Sequence, residues 1–293
     1  MGFFSAIMNG VFKAMTKVSE DGDVSCQSYL GYMYMNGEGI EKDCIKAYEW
    51  FSKAAKQGNV FAQCNLGYMY ENGYGVEQDY LKAFEWYTKA AVQGDATAQS
   101  NLGLMYTNGY GVEQDYLKAF EWFSKAAVQG DATAQSNLGL MYTNGYGIEQ
   151  DYVKAYEWFS KAAVQEDAFA QCNLALMYEL GDGIEQDYLK AFEWYTKAAV
   201  QGYAPAQCNL GGMYTNGYGI EQDYAKGYEW YTKAAVQGDA FAQCNLGLMY
   251  ELGDGIEQDY VKAYEWYTKA AEQGDENAQK AVSTILKNDL IKK

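Results

Sequence analysis

Residues 96–131 read ATAQSNLGLMYTNGYGVEQDYLKAFEWFSKAAVQGD, and the block returns with few changes along the chain. Trp50, Trp86, Trp122, Trp158, Trp194, Trp230 and Trp266 accordingly fall 36 residues apart. A fixed period of this length marks a stack of like supersecondary units, each burying its apolar face on its neighbours. Seven full units run 24–59, 60–95, 96–131, 132–167, 168–203, 204–239 and 240–275. Within 96–131, Leu102, Gly103, Met105 and Tyr106 stand at helical spacing and predict a helix A over about 96–108. Gly109-Tyr110-Gly111 ends it, because glycine takes the left-handed conformation past a helix end without a Cβ penalty. Asp115 then caps a helix B over about 116–129, which carries Ala119, Phe120, Trp122, Phe123, Ala126 and Ala127. The expected fold is all-α, a solenoid of seven helix-turn-helix repeats.

The ends carry degenerate copies of the same pattern. Residues 14–27, AMTKVSEDGDVSCQ, align with the interior WYTKAAVQGDATAQ, with Phe12 at the Phe/Tyr position and Phe4 at the Val/Ile position. The stretch 1–23 thus reads as a lone helix B whose tryptophan has become Ala14. Residues 276–293 follow the helix A register, with Val282, Ser283 and Leu286 at the Leu, Gly and Tyr positions. Lys280, Lys287, Lys292 and Lys293 make that last helix polar. Both ends are expected to be caps, which solenoids need for solubility, so the chain reads as a complete monomeric domain.

Lys plus Arg number 22 against 39 acids, a formal net charge of −17. Such a field repels phosphates and anionic lipid and steers basic partners inward, so nucleic acid is not an expected partner. The weakly polar run from Phe3 to Phe12 is too short to cross a bilayer and lacks a basic leader region and a cleavage site. Gly2 is followed by Ala6 where a myristoylation signal wants Ser or Thr. A cytoplasmic location is expected. The cysteines argue against a bridged framework. Cys64, Cys172, Cys208 and Cys244 share one repeat position, and stacked helices lie roughly 8–10 Å apart, beyond the ~7 Å Cα limit of a disulfide.

Histidine is absent, which removes the commonest general base and metal ligand. There is no G-x-S-x-G, P-loop or C-x-x-C, and the G-x-G of each unit is too short to cradle phosphate. Glu113, Asp115 and Glu121, repeated in every unit, read as a helix cap and a solvated face. The cysteine ladder is spaced too widely for one metal ion. No cofactor, no metal and no enzymatic activity are expected.

The repeated elements A-x-A-Q-x-x-L-G-x-x-Y, G-x-G, D-Y-x-K-A-x-x-W and K-A-A-x-x-G resemble the Sel-one-like repeat, a relative of the tetratricopeptide repeat. The resemblance covers all seven units. It implies a right-handed superhelix of antiparallel helix pairs with helix A lining the concave side, and a role as adaptor or scaffold for other proteins. Some cysteine-rich relatives are secreted with a disulfide in each repeat; this chain lacks paired cysteines in most of its units.

Units differ from one another mainly at the second, fifth, ninth and twelfth positions of helix A, one helical stripe that the resemblance places in the concave groove. Units five and seven carry Phe169, Cys172, Leu176, Glu179 and Leu180, and Phe241, Cys244, Leu248, Glu251 and Leu252. Unit six between them keeps Cys208 of the cysteine ladder but is otherwise pared down, with Pro205, Gly212, Ala225 and Gly227. Two apolar ridges with acidic edges around a shallow spot suit a partner with an apolar anchor and basic flanks; drift after duplication gives the same pattern. Asn65, Asn101, Asn137, Asn173, Asn209 and Asn245 form a ladder beside the stripe, broken by Tyr29 in the first unit. Each amide could hold an extended peptide backbone, as related tetratricopeptide grooves do, or bond a neighbouring helix. Glu166 replaces a turn glycine, which strains that turn or lets helix B run on, and Ala175 replaces the glycine of L-G, which pushes two helices apart.

The function this points to is a non-enzymatic scaffold that binds a protein or peptide in the groove. An immunity or inhibitor protein that sequesters a cationic toxin fits the same acidic surface. A hydrolase, proposed for the cysteine-rich relatives, lacks a nucleophile motif here, and polar caps argue against end-to-end self-assembly.

Overall fold

The computed structural model describes residues 12–288, 290 and 291, so Phe4, Lys292 and Lys293 of the end alignments lie outside the described residues. Those residues form helices joined by turns, with no strand among them. The chain divides into two compact units, Met1–Gln150 and Asp151–Lys293. The first holds α1 (residues 12–20), α2 (Val24–Asn36), α3 (Cys44–Lys56), α4 (Val60–Asn72), α5 (Tyr80–Val92), α6 (Ala96–Asn108), α7 (Tyr116–Val128) and α8 (Ala132–Asn144). The second holds α9 (Tyr152–Ala163), α10 (Ala168–Leu180), α11 (Tyr188–Val200), α12 (Ala204–Asn216), α13 (Tyr224–Val236), α14 (Ala240–Leu252), α15 (Tyr260–Glu272) and α16 (Glu276–Lys287). Helix A of 96–131 spans the expected residues, and helix B ends one residue early.

Caps set these boundaries. The Asp95 carboxylate accepts from the Ala98 N–H at 2.8 Å, and Asp115 accepts from the Lys118 N–H at 3.0 Å. Tyr203 supplies no such bond to α12, where Pro205 in the first turn suits the helix start instead. At the other end Gly109 sits at φ 73° and donates to Met105 O at 2.8 Å. The second glycine of the turn answers to packing: a Cβ on Gly111 would lie 2.2 Å from Tyr80 O, the first carbonyl of the preceding helix B. Glu166 holds φ 67° where the other units have glycine, and α9 stops at Ala163. The helix does not run on; the turn keeps its left-handed residue at a cost of about 1–2 kcal/mol.

The core is built at the junctions between successive helices. Tyr87, Ala90, Ala98, Leu102 and Met105 form one such cluster in the first unit, and Ala175, Tyr195, Ala198, Leu210 and Met213 one in the second. Burying each large side chain contributes about 1.5–3 kcal/mol. The glycine of L-G admits the aromatic ring beneath it, since a Cβ on Gly103 would stand 2.5 Å from the Phe123 ring. Ala175 takes that place opposite Tyr195 and is fully buried. Only Trp50 of the seven tryptophans is buried; the rest are half-buried under a lysine three residues on, as Lys89 lies 3.8 Å from the Trp86 ring. A glutamine relay joins repeats: Gln129 Nε2 donates to Gln99 Oε1 at 2.8 Å, and Gln99 Nε2 donates to Ala91 O at 3.0 Å. The buried amides are thereby satisfied. At the ends, Phe12 and Met15 of α1 pack near Leu30, Met33 and Trp50, and Ile285 of α16 is fully buried near Tyr267. No described helix is long and apolar enough to cross a membrane.

Candidate interaction surface on helix A

Helical geometry divides the variable stripe. At 3.6 residues per turn the fifth and twelfth positions lie roughly 40–80° round the helix from the second and ninth. The second and ninth positions face solvent in several repeats: Phe61, Tyr68, Leu176, Phe241 and Leu248 are exposed, Phe241 at 71%. Phe169 is half-buried, its ring 6.3 Å from that of Phe159. Gly212 leaves the ninth position of the sixth repeat empty. Leu180 and Leu252, at the thirteenth position, are exposed and extend the apolar face in the second unit.

The fifth and twelfth positions turn inward. Cys64, Cys172 and Cys208 are buried and Cys244 is half-buried, all with free thiols. Burial pushes the Cys172 thiol up to about 12 and that of Cys244 to about 11, and raises Cys64 and Cys208 as well. Neutral buried thiols pack as small apolar groups and are poor nucleophiles. The twelfth-position glutamates serve the interior: Tyr87, Tyr195 and Tyr267 donate to Glu71, Glu179 and Glu251 at 2.7, 2.8 and 2.7 Å. Glu179 and Glu251 are half-buried partners of those hydroxyls.

The asparagine ladder is half-buried throughout. Asn65, Asn137, Asn173 and Asn245 each donate to the carbonyl four residues back, at 2.8–2.9 Å. Asn209 instead reaches Cys172 Sγ at 4.0 Å. The four that bond their own turn keep Oδ1, an acceptor. Asn101 stands at the same place.

Sequence reasoning missed an aromatic patch in the first unit. Tyr29 stacks on Tyr32 at 6.1 Å, Tyr32 lies 6.1 Å from Phe61, and the three line a cleft of ≈ 390 Å³ with Ser25, Ser28 and Asn59. The signal was present: Tyr29 interrupts the asparagine ladder and Tyr32 occupies the ninth position. It also missed a loop change. Tyr110 and Tyr218 stack on Tyr80 and Tyr188 at 4.9 and 5.1 Å, whereas the fifth and seventh repeats carry Asp182 and Asp254 at that loop position.

No group of three or more metal-ligating side chains occurs among the described residues. The Lys118 N–H holds the Asp115 carboxyl below its ordinary range, and Lys118 Nζ lies 3.2 Å from it, so this carboxylate works as a cap.

The Sel1 repeat family model matches residues 24–59, 60–95, 96–131, 132–167, 168–203, 204–239 and 240–275. The chain belongs to the Sel1 repeat family. Sel1 repeats mediate protein–protein interaction, and their fold class is the all-α solenoid. Among solved structures the chain is similar to c5321 of uropathogenic Escherichia coli, described as a protective antigen displaying an SLR fold. Identity is 39% and the TM-score 0.81, over 94% of this chain and 59% of that one, so the chain spans about three fifths of the E. coli protein. It is also similar to a Sel1 repeat protein from Oxalobacter formigenes, at 36% identity and a TM-score of 0.73, covering 96% of this chain and 81% of that one. No curated protein matches the sequence.

Proposed function

We propose that this Sel1 repeat chain is a non-enzymatic scaffold that receives a polypeptide of basic character on the helix A stripe. The observation that carries the reading is the row of exposed apolar side chains on that stripe, described for each unit separately. In the first unit these are Tyr29, Tyr32, Phe61 and Tyr68; in the second, Leu176, Leu180, Phe241, Leu248 and Leu252. Helix B exposes single Leu, Ile and Val residues near its two ends, whereas on helix A aromatic and leucine side chains share one face, which favours an interface there. The net charge of −17 favours a basic partner through long-range steering. Asparagine Oδ1 atoms beside the patch are placed to accept from backbone N–H groups of an extended segment.

The test is affinity capture from the source cell, comparing wild type with two variants, Phe61→Ser/Tyr68→Ser and Phe241→Ser/Leu248→Ser. The expected result is a basic partner held by the wild type and released by at least one variant. A partner retained equally by both would move the interface off helix A and overturn the reading.

A further inference from the structure

Tyr231 is the one tyrosine at its helix B position whose glutamate is missing. Tyr87, Tyr195 and Tyr267 each have theirs, and where the twelfth position of helix A is Thr107 or Thr143, helix B carries Phe123 or Phe159, which have no hydroxyl to satisfy. In the sixth repeat Tyr231 is 5% exposed, yet among the described residues its hydroxyl finds only Thr215 Oγ1 at 3.5 Å. A buried hydroxyl held so loosely is costly.

Three neighbouring changes belong with it. Thr107 and Thr143 donate to the carbonyl four residues back at 2.9 Å, but Thr215 is turned to donate to Gly212 O at 3.1 Å. That rotamer needs Gly227, since a Cβ there would meet Thr215 Cγ2 at 2.4 Å. A Cβ on Gly212 would sit 3.4 Å from Tyr231 Oη, so the glycine leaves the hydroxyl within reach. A cleft of ≈ 220 Å³ opens there, with Thr215 and Tyr231 joined by Tyr224, Asn245, Leu248 and Asp254.

The lining selects its occupant by chemistry. Asp254 has no cation paired with it among the described residues. Asn245 spends an N–H on Phe241 O at 2.9 Å and keeps Oδ1. With the two hydroxyl oxygens these make several separate acceptors around one small space, beside the apolar Leu248 and the Tyr224 ring. An ammonium with three independent donors on an aliphatic stem meets that set. A guanidinium would spend one edge on the Asp254 carboxylate alone, whereas the three independently directed donors of an ammonium can be shared among Asp254, Asn245 Oδ1 and the hydroxyl oxygens.

We infer that this cleft is the anchor point for a lysine side chain of the partner polypeptide, its stem against Leu248 and Tyr224 and its ammonium among Asp254, Asn245 and the Thr215–Tyr231 hydroxyls. The inference rests on the scaffold reading and narrows it to one residue of the partner.

The test is a titration of the full chain with the blocked tripeptide acetyl-Gly-Lys-Gly-amide, followed by amide chemical shifts, with the norleucine tripeptide as neutral control. Saturable shifts at Gly212 and Asn245 are expected with the lysine peptide in the millimolar range, and none with norleucine. Gly212→Leu, which installs the side chain of the third, fourth, fifth and seventh repeats, abolishes the shifts. Asp254→Asn, an isosteric change at a half-buried loop residue, weakens binding about tenfold, the loss of one charge-assisted bond. Asp182→Asn leaves binding unchanged. Absence of saturation in the wild type, equal shifts with norleucine, or full binding by Asp254→Asn overturns the inference. The titration needs no cellular partner, so its failure leaves the stripe reading standing, and a failed capture leaves the titration result standing.

Discussion

Tyr195 Oη donates to Glu179 Oε2 at 2.8 Å, across the two helices of a single repeat. Desolvation pushes the tyrosine hydroxyl's pKa up, and the adjacent carboxylate pushes it further, so the phenol stays protonated and keeps donating to the glutamate. Glu179→Thr leaves the buried hydroxyl without this acceptor and is expected to cost about 1–3 kcal/mol. Glu179→Thr with Tyr195→Phe recreates the combination found at Thr107 and Phe123 and recovers most of the loss. Urea unfolding of the double-mutant cycle measures the coupling; strict additivity would show that the bond carries no stability.

The turn glycines separate into two kinds. Gly130 has φ 96° and nothing within 4 Å of an added Cβ, so Gly130→Ala costs only the left-handed strain, about 1–2 kcal/mol. Gly111→Ala adds a clash with the Tyr80 carbonyl and costs more than Gly130→Ala. Thermal unfolding ranks them, and equal losses would mean the close backbone approach is unimportant.

Glu166→Gly removes the positive-φ strain of the turn after α9. The glycine pays back part of the gain in chain entropy, leaving a net stabilisation of up to about 1 kcal/mol. A lower midpoint in urea would contradict this account.

Stability is expected to fall at both extremes of pH. The helix B caps Asp43, Asp79, Asp115, Asp151, Asp187, Asp223 and Asp259 have carboxyls lowered from 3.8 by backbone N–H donors. Their contribution is present above that unfolded value and is lost as pH falls through the lower folded values. Cys172 is raised from 9.0 to about 12 and Tyr231 from 10.0 to about 12, both chiefly by burial. Stability resting on these neutral forms is present below pH 9 and drains away as pH rises towards 12. Cys172→Ser, with serine already native at Ser100 and Ser136, reduces the alkaline loss without altering the acid limb. Denaturation midpoints across pH check both signs.

The period, the helix pairs and the caps were legible because each depends on residues close in sequence. Asp115 capping Lys118 spans three residues, and Gly109 closing on Met105 spans four. The inward turn of Cys172 and Glu179 was not legible, because a stripe of differing residues does not say which of its edges meets the neighbouring helix. Glu179 and Tyr195 are sixteen residues apart on different helices, and their joint variation with Thr107 and Phe123 becomes meaningful only when the two helices face each other. The asparagines offered two long-range partners to the reader of sequence; four of them bond their own helical turn. Tyr29 stood in plain view as a departure from the asparagine ladder, and its stacking on Tyr32 shows why such a departure points to a surface.

The glutamine relay has a consequence for how such a chain changes length. Each copy of the block carries both the donor that reaches back and the acceptor that the next donor requires, so an extra copy inserted between two others arrives with its connections already made. Unequal recombination within the gene would therefore yield longer or shorter arrays that fold at once, without compensating mutations at the seam. The shared ATAQSNLGLMYTNGYG at 96–111 and 132–147 has the look of such an event, preserved before the two copies drifted apart.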